Sequence, residues 1–516
     1  MHTPILGSSY VARSVNAAAN RMVNLFPEVI PEGGKEPAFL NRAPGLRFLQ
    51  TVGTGPIRGL WAHQTNGTDF YVVSGTEVYK LTGTNSTPIK LGNVSGTGPV
   101  SIADNGTQIF FACNGPSYIY NEVTNVFQQI TDIDFPGAKT VGYLDGYFVF
   151  NEPSGQRIWV TSILEGTQID PLDFASAEGS PDGLVAVNIN NREAWLFGTD
   201  SVEVWYDAGL ADFPLTRIQG AFSEVGCVAA YSIAKLDNSL FWLGTDARGQ
   251  GIVYRTAGYN AQRVSTHAIE YAIAQYGNLS DAVAYTYQQE GHAFYVLSFA
   301  EATWVYDVAT SAWHERAGFA DGQFTRHRSN CQCNFQGTTV VGDYQNGNIY
   351  ALDLDVYADN GDIQKWLRSW RALPTGQNNL KRTAHHALQL DCESGVGLDY
   401  LDPMGPQEVE NLYDLLLLED GGELLTENGD GILLNETEWG MMKPRVMLRW
   451  SDDGGHTWSN EHWADMGAIG QFSHRVFWRR LGMTLKLRDR VYEVSGTDPV
   501  KVAIMGAELQ ISGTNA

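Results

Sequence analysis

Between residues 59 and 352 one pattern of apolar and polar positions recurs. An apolar strand is followed by a tight turn, a second and almost wholly apolar strand, another turn, and a third strand carrying a β-branched residue before Tyr or Trp. Seven such pairs mark it: Val78-Tyr79, Ile119-Tyr120, Ile158-Trp159, Val204-Trp205, Val253-Tyr254, Val305-Tyr306 and Ile349-Tyr350. Their aromatic members are spaced by 41, 39, 46, 49, 52 and 44 residues. The second strands, such as DFYVV from Asp69, QIFFA from Gln108 and LFWL from Leu240, lack the alternation of a half-exposed strand, so they are predicted to be buried on both faces. Asn66-Gly67, Ser74-Gly75, Asn105-Gly106, Asn114-Gly115, Asp145-Gly146, Ser154-Gly155 and Asn346-Gly347 supply the positive φ of tight hairpins, which makes neighbouring strands antiparallel.

One small sheet cannot cover both of its own faces, whereas a ring of them can. The period therefore predicts a β-propeller of about seven blades over residues 58–358. The drift in spacing, and an N-terminal segment able to complete a blade, leave six or eight open. A large β-sandwich with accidental regularity is the competing architecture. Residues 1–57, rich in Pro and Gly and without periodicity, read as an extended arm, and residues 359–381 as a linker in which QKWLRSW is a candidate strand. From residue 382 to 516 alternating strands without the blade period (AHHALQLDC, RVMLRW, HRVFWRRLGMTLKLR, PVKVAIMGAELQI) predict a β-sandwich domain. Its insertion at 401–440 holds eleven acids and no Lys or Arg.

Composition narrows the function classes. At 516 residues the chain exceeds one ordinary core, and 34 basic against 58 acidic residues leave a net charge of -24. That charge disfavours an ordinary nucleic-acid or anionic-membrane binder, yet suits a conduit through which DNA must slide without drag. Five scattered cysteines do not make a disulfide framework, which points to assembly in a reducing cytoplasm. Neither a secretory leader nor an apolar run of about 18 residues is apparent.

Chemical motifs are sparse. SDDGGHTW, with Ser451, Asp453, Gly455 and Trp458, matches the Asp box of sialidase-type propellers, where it closes a hairpin; lying outside the repeat, it reads as a structural turn. A glycosidase needs paired carboxylates, and no segment presents them at diagnostic spacing. Cys331 and Cys333 lack the partner pair of a zinc site, and Asp353, Asp355 and Asp359 lack the Gly and terminal Glu of a calcium loop. With no HExxH, GxSxG or phosphate loop, the expectation is no catalytic residue, no metal and no cofactor. One basic concentration stands out, Arg475, Arg479, Arg480, Lys486, Arg488 and Arg490, as a DNA-facing or partner-facing surface or, equally, a solvated sheet face. Alternation places Arg475, Phe477 and Arg479 on one face and Val476 and Trp478 on the other.

Longer stretches carry a family resemblance. RMVNLFPE (21–28) with APGL at 43, SPDGLVAVNINNREAWLFGTDSVEVWYDAG (180–209), VGCVAAYSIAKLDNSLFWLGTD (225–246), GNIYALDLDVYADNGD (347–362), LRWSDDGGHTW, HRVFWRRLG and DPVKVAIMGAEL occur in order across almost the whole chain. Together they resemble the packaged-DNA-stabilising tail hub, or nozzle, proteins of short-tailed bacteriophages; the acidic insertion departs from that pattern. The resemblance implies a structural virion protein rather than an enzyme: a ring, expected to be a hexamer, below the portal and its adaptor. Such a ring would continue the DNA channel, retain the packaged genome, carry tail fibres or spikes and a needle or plug, and pass double-stranded DNA without sequence specificity during genome entry. The alternative is a carbohydrate-binding or glycosidase-type propeller, suggested by 14 Trp, 23 Tyr and the Asp box. Aromatics confined to strand cores would favour the hub, and aromatics with carboxylates converging on one propeller mouth the alternative. A kelch-type or WD-type scaffold is a third, with a single kelch-like TSAWHER.

Overall fold

Seven antiparallel sheets are formed by residues 46–353, which with Ser9–Arg13 make one compact unit of a computed structural model. The structure describes residues 2–15, 17–34, 36–63, 68–177, 179, 182–210, 213–246, 249–372, 382–397, 443–484 and 490–513. Blade 1 comprises Ile57–Ala62, Phe70–Ser74, Glu77–Leu81 and Ile89–Asn93. Blades 2, 3, 4 and 6 repeat this four-strand meander, starting at Ser101–Asp104, Val141–Leu144, Leu184–Asn190 and Val283–Gln289. In blade 5 the innermost strand is split into Gly226–Cys227 and Ala234–Leu236, both pairing with Ser239–Asp246. Blade 7 takes Ser329–Phe335, Thr338–Asp343 and Asn348–Asp353 from its own repeat, and its fourth strand, Gly45–Thr51, from before blade 1. The innermost strands follow one another around a closed ring, that of blade 7 packing on that of blade 1.

The uninterrupted apolar strands explain themselves in this ring. Phe70–Ser74 is buried throughout: Phe70 and Val72 pack with Phe335, Val340 and Ile349 of blade 7, while the alternate Tyr71 and Val73 pack with Ile109, Phe111 and Tyr118 of blade 2. Gln108–Ala112 repeats the arrangement, sending Phe110 and Ala112 to Phe148 and Phe150 of blade 3. Each second strand is thus a septum between two cores, and every side chain so buried contributes about 1.5–3 kcal/mol. On the third strands Val78, Ile158, Val253, Val305 and Ile349 are fully buried. Positive φ occurs at Gly75, Gly106, Asn114, Gly115, Asp145, Gly146 and Gly155, as the hairpins require, while Asn66-Gly67 lies outside the described residues. Gly347 serves differently: a Cβ there would lie 2.5 Å from the Gly53 carbonyl oxygen and 2.6 Å from that of Val52.

The other unit, Met1–Ser8, Ser14–Gly45 and Leu354–Ala516, is a sandwich of two antiparallel sheets. In one, Val476–Arg479, Thr383–Cys392, Ala503–Gly513, Ala38–Arg42 and Leu25–Val29 pair in that order, and His2–Thr3 adds to Ala503–Gly513. The other runs Met22–Val23, Trp366–Arg371, Val491–Gly496, Arg445–Ser451 and His462–Asp465. Trp366, Trp370, Leu388, Leu448, Tyr492, Val494, Ile504 and Leu509 fill the space between them. The candidate strand in QKWLRSW is Trp366–Arg371, a central member of its sheet.

Residues 1–57, expected as an extended arm, are divided between the units and largely paired. Their strands are two to seven residues long; Leu25–Val29 pairs locally with Ala38–Arg42, but His2–Thr3, Met22–Val23 and Ala38–Arg42 also find partners hundreds of positions away, so no local period announces them. Polar anchors accompany the pairing: Trp370 Nε1 donates to Thr3 Oγ1 at 2.7 Å and Arg368 Nε to the Ile5 carbonyl at 2.6 Å. The acidic insertion at 401–440 lies outside the described residues. No helix among the described residues is long and apolar enough to cross a membrane.

Candidate functional site

At the centre of the propeller the innermost strands enclose a cavity lined by residues of several blades, including Arg58, Trp61, Thr140, Asn188, Tyr231 and Asn330. Its one arginine is already committed: Arg58 donates from Nε to Gly98 O at 2.6 Å, from Nη1 to Gly75 O at 2.8 Å and from Nη2 to Ser95 O at 3.0 Å. Tyr231 donates to Lys139 O at 3.2 Å, and burial pushes its phenol well above the usual tyrosine range. Neither Asp nor Glu is among the lining residues, so the cavity lacks the carboxylate pair that sugar hydrolysis requires. Two acids on these blades are held by neighbouring side chains. Asp104 accepts from Trp61 Nε1 at 2.7 Å, and Glu122 accepts from Tyr71 and lies 3.0 Å from His63 Nε2.

The basic segment is split by burial. Arg475, Arg479 and Arg480 are exposed at and beside Val476–Arg479, which is an edge of its sheet. Val476 and Trp478 point into the sandwich core, while Phe477 and Arg479 face outward with the guanidinium 5.0 Å from the ring centroid. Arg480 turns the chain off the sheet with φ of 60°, its N–H donating to His386 O at 2.8 Å. An open groove beside the strand is lined by His386, Phe477, Arg479, Arg480, Met483 and Gln510, and another by Phe472, His474, Arg475 and Met505.

Arg490 is elsewhere. Only 2% exposed, it forks onto Asp452 with Nε–Oδ1 and Nη2–Oδ2 both 2.7 Å, gives Nη1 to Leu481 O at 2.6 Å, and lies over the Trp450 ring. That burial removes Arg490 from the surface set with which the sequence groups it. Lys486 and Arg488 lie outside the described residues.

The Asp-box segment closes the turn after Arg445–Ser451. Asp453 Oδ1 accepts from the backbone of His456 at 2.9 Å, Oδ2 accepts from Thr457 Oγ1 at 2.6 Å, and Ser451 Oγ accepts from the Gly455 N–H at 2.7 Å. The Ser451 hydroxyl, donating to Asp453 Oδ1 at 2.6 Å, and then the Thr457 and His456 donors hold the Asp453 carboxyl well below the usual carboxylate range. Trp458 is half-buried beneath the Arg449 guanidinium, 4.8 Å from its centroid.

The cysteine and aspartate candidates are packed or hydrogen-bonded within the fold. Cys331 and Cys333 sit on one strand packed into the core between blades 7 and 1, and burial pushes the Cys331 thiol up to about 12. Asp353 pairs with Arg47 at 2.8 Å, and Asp359, 2% exposed, accepts from Gln364 Nε2 at 3.3 Å. Among the described residues, no three His, Cys, Asp or Glu gather as a metal site would need.

One further surface carries no chemical motif. Asp132-Ile133-Asp134, in the connection leading into blade 3, and Asp170-Pro171-Leu172-Asp173, within blade 3, form abutting loops, joined where the Ile169 N–H donates to Asp132 Oδ2 at 3.3 Å. Ile133 is 96% exposed and Leu172 76%. The signal in the sequence is an apolar residue framed by aspartates, used twice within 42 residues.

Two family profiles match the chain. That described as Bacteriophage P22 Gp10, beta-propeller, covers residues 1–357, and that described as Bacteriophage P22 Gp10, beta-sandwich, covers residues 422–512. No curated protein matches it. Solved structures similar to it include the N-terminal domain of Nup159, at 10% identity over 63% of this chain and 97% of that one with a TM-score of 0.39. The computationally designed Ika8 protein follows at 13% identity over 60% and 99%, TM-score 0.37. An extracellular domain of a hybrid two component system from B. thetaiotaomicron is 10% identical over 89% of this chain and 58% of that one, TM-score 0.41.

Proposed function

Because this chain belongs to the Bacteriophage P22 Gp10 family of phage tail structural proteins, we propose that it is the tail hub, or nozzle, of a short-tailed virion. It assembles in the host cytoplasm as a closed ring of identical subunits, a hexamer, beneath the portal adaptor. The ring continues the DNA channel, retains the packaged genome until ejection, and anchors fibres or spikes and a needle or plug. The observation that carries this reading is the match of the family's propeller and sandwich profiles to consecutive parts of one chain.

Physical chemistry supports it in two ways. A net charge of -24 lets double-stranded DNA pass without the salt-dependent affinity that neutralised phosphates create. Cavity walls without a carboxylate, together with aromatics spent in strand cores, speak against the carbohydrate-active alternative. The test is the mass of the purified chain alone and with adaptor rings, alongside the protein content of virions. The expected result is ring assembly on the adaptor and presence in virions. A chain that stays monomeric with adaptor and is missing from virions would overturn the reading.

A further inference from the structure

We propose that the exposed face of Val476–Arg479 docks on the blade 3 rim of a neighbouring copy of this chain, and that this heterologous contact closes the ring. The inference rests on the hub reading and deepens it by naming the two surfaces.

The first observation is unbalanced charge. Several arginines of this acidic chain are held by carboxylates: Arg47 by Asp353, Arg192 by Asp145, Arg263 by Glu270, Arg449 by Glu493 and Arg490 by Asp452. Arg475, Arg479 and Arg480 are exposed and have no carboxylate within ion-pair distance among the described residues. On the blade 3 rim the reverse holds, since Asp132, Asp134, Asp170 and Asp173 have no Lys or Arg partner among the described residues. Crowding there is sufficient that burial, and then the Asp170 charge, raise the Asp173 carboxyl above its ordinary range.

The second observation is apolar surface within each charged patch. On the sandwich, Phe472 is 79% exposed and Met483 49%, flanking the Arg479–Phe477 stack. On the rim, Ile133 and Leu172 project from between the aspartates. Arginine with aromatic and Met side chains is the composition of a protein interface core, and opposite charges around an apolar centre set register and suppress wrong partners. A phosphate backbone would use the arginines but leave Phe472 and Met483 uncovered, so the observations favour a protein partner over DNA. Because the two patches differ, pairing one with the other can run head to tail, and such a heterologous contact closes into a ring where its rotation permits.

The experiment uses the full chain and reads the concentration at which rings form on the adaptor, by sedimentation or mass photometry. Arg475→Glu with Arg479→Glu is one variant. Asp134→Lys with Asp173→Lys is the other, chosen because the Asp132 and Asp170 carboxylates also hold backbone N–H groups. Each reversal is expected to raise the assembly midpoint at least about tenfold, and the four changes in one chain to bring it back within about threefold of the parent. Thermal melts of each variant report folding, and Arg479→Gln, which removes charge without repulsion, should give an intermediate midpoint. Parent-like assembly of the reversed variants, or failure of the combined chain to recover, overturns the interface and leaves the hub reading standing. A parent chain that forms no ring takes both down.

Discussion

Thr51 and Asn348 meet through a 2.6 Å hydrogen bond from Thr51 Oγ1 to Asn348 Oδ1, although 297 residues separate them. The bond lies where the propeller closes. Gly45–Thr51 is the fourth strand of a blade whose other three strands come last in the repeat, and Val52 N–H donates to Gly347 O at 2.7 Å just beyond it. A ring fastened in this way opens only when the first and last parts of the unit separate.

Gly55 is the tightest point of that junction. It adopts φ of +74°, and a Cβ would lie 2.0 Å from the Asn346 carbonyl carbon and 2.3 Å from its oxygen, both backbone atoms that cannot move aside. Gly55→Ala is therefore expected to cost about 2–5 kcal/mol of propeller stability, the sum of backbone strain and overpacking. Gly337, with φ of +77° and open space around it, isolates the backbone contribution at about 1 kcal/mol. Urea denaturation of the two alanine variants makes the comparison, and equal losses would show that closure does not depend on this approach.

The Arg490–Asp452 fork predicts a stability effect where a surface arginine would give a binding effect. Arg490→Met leaves Asp452 and the Leu481 carbonyl without their donor, at about 3–5 kcal/mol. Adding Asp452→Leu removes the stranded charge and should recover most of the loss, since a buried pair replaced by apolar groups is often nearly neutral. Unfolding of the two variants followed by tryptophan fluorescence distinguishes the cases, and an unchanged Arg490→Met midpoint would contradict the burial.

Much of this was legible because the repeat is local. Val78-Tyr79 and its six counterparts mark third strands, and the runs at Phe70 and Gln108 mark septa, since both signals arise within a few residues of hairpin. The N-terminal strands carry no such signal, because Leu40 and Asn41 are paired by Ile504 and Ala503, which adjoin them only after the sandwich forms. For Arg490 the clue was equally remote. Arg475, Arg479 and Arg490 all sit in alternating segments, and only the Asp452 side chain, 38 residues upstream, separates the last from the first two. The blade 3 rim does carry a local signal, the apolar residue between acids in Asp132-Ile133-Asp134.

Buried histidines set an acid limit, His314, His327 and His385 all being lowered by burial. Burial, then the charges of Arg316, Arg326 and Arg328, lowers His327 to about 3, and burial, then Arg490 and His386, lowers His385 to about 3. Unfolded, each titrates near 6.5. Above that value neither state binds the proton and no penalty arises. Between about 6.5 and 3 the unfolded chain is protonated while the folded one is not, so stability is lost as the pH is lowered, by about 1.4 kcal/mol per unit for each histidine. In the sandwich, His385 lies 2.8 Å from Tyr492 Oη through Nδ1 and 3.1 Å from Thr383 Oγ1 through Nε2. His385→Gln keeps polar reach without the titration, and should flatten the acid slope of unfolding between pH 6 and 4 by about one proton. An identical slope in the variant would rule the linkage out.

Arg42 makes the sandwich dependent on residues far ahead of it. Its guanidinium, 2% exposed, donates to Gln364 Oε1 at 3.1 Å and to the carbonyls of Gln364 at 2.6 Å, Tyr357 at 2.9 Å, Asp498 at 2.6 Å and Val500 at 2.8 Å. Burial lowers it to about 10, which still leaves it charged at neutral pH, so those carbonyls meet a cation that nothing else supplies. Arg42→Met should cost about 3–5 kcal/mol. A fragment of residues 382–516 loses more, because Trp366, Trp370 and the strands Leu25–Val29 and Ala38–Arg42 go with it. It is expected to lack dispersed amide NMR signals and a cooperative melt, whereas residues 46–353, which keep all seven blades and nearly all of the closing strand, should fold alone. Cooperative folding of 382–516 would mean that the N-terminal strands decorate the sandwich rather than complete it.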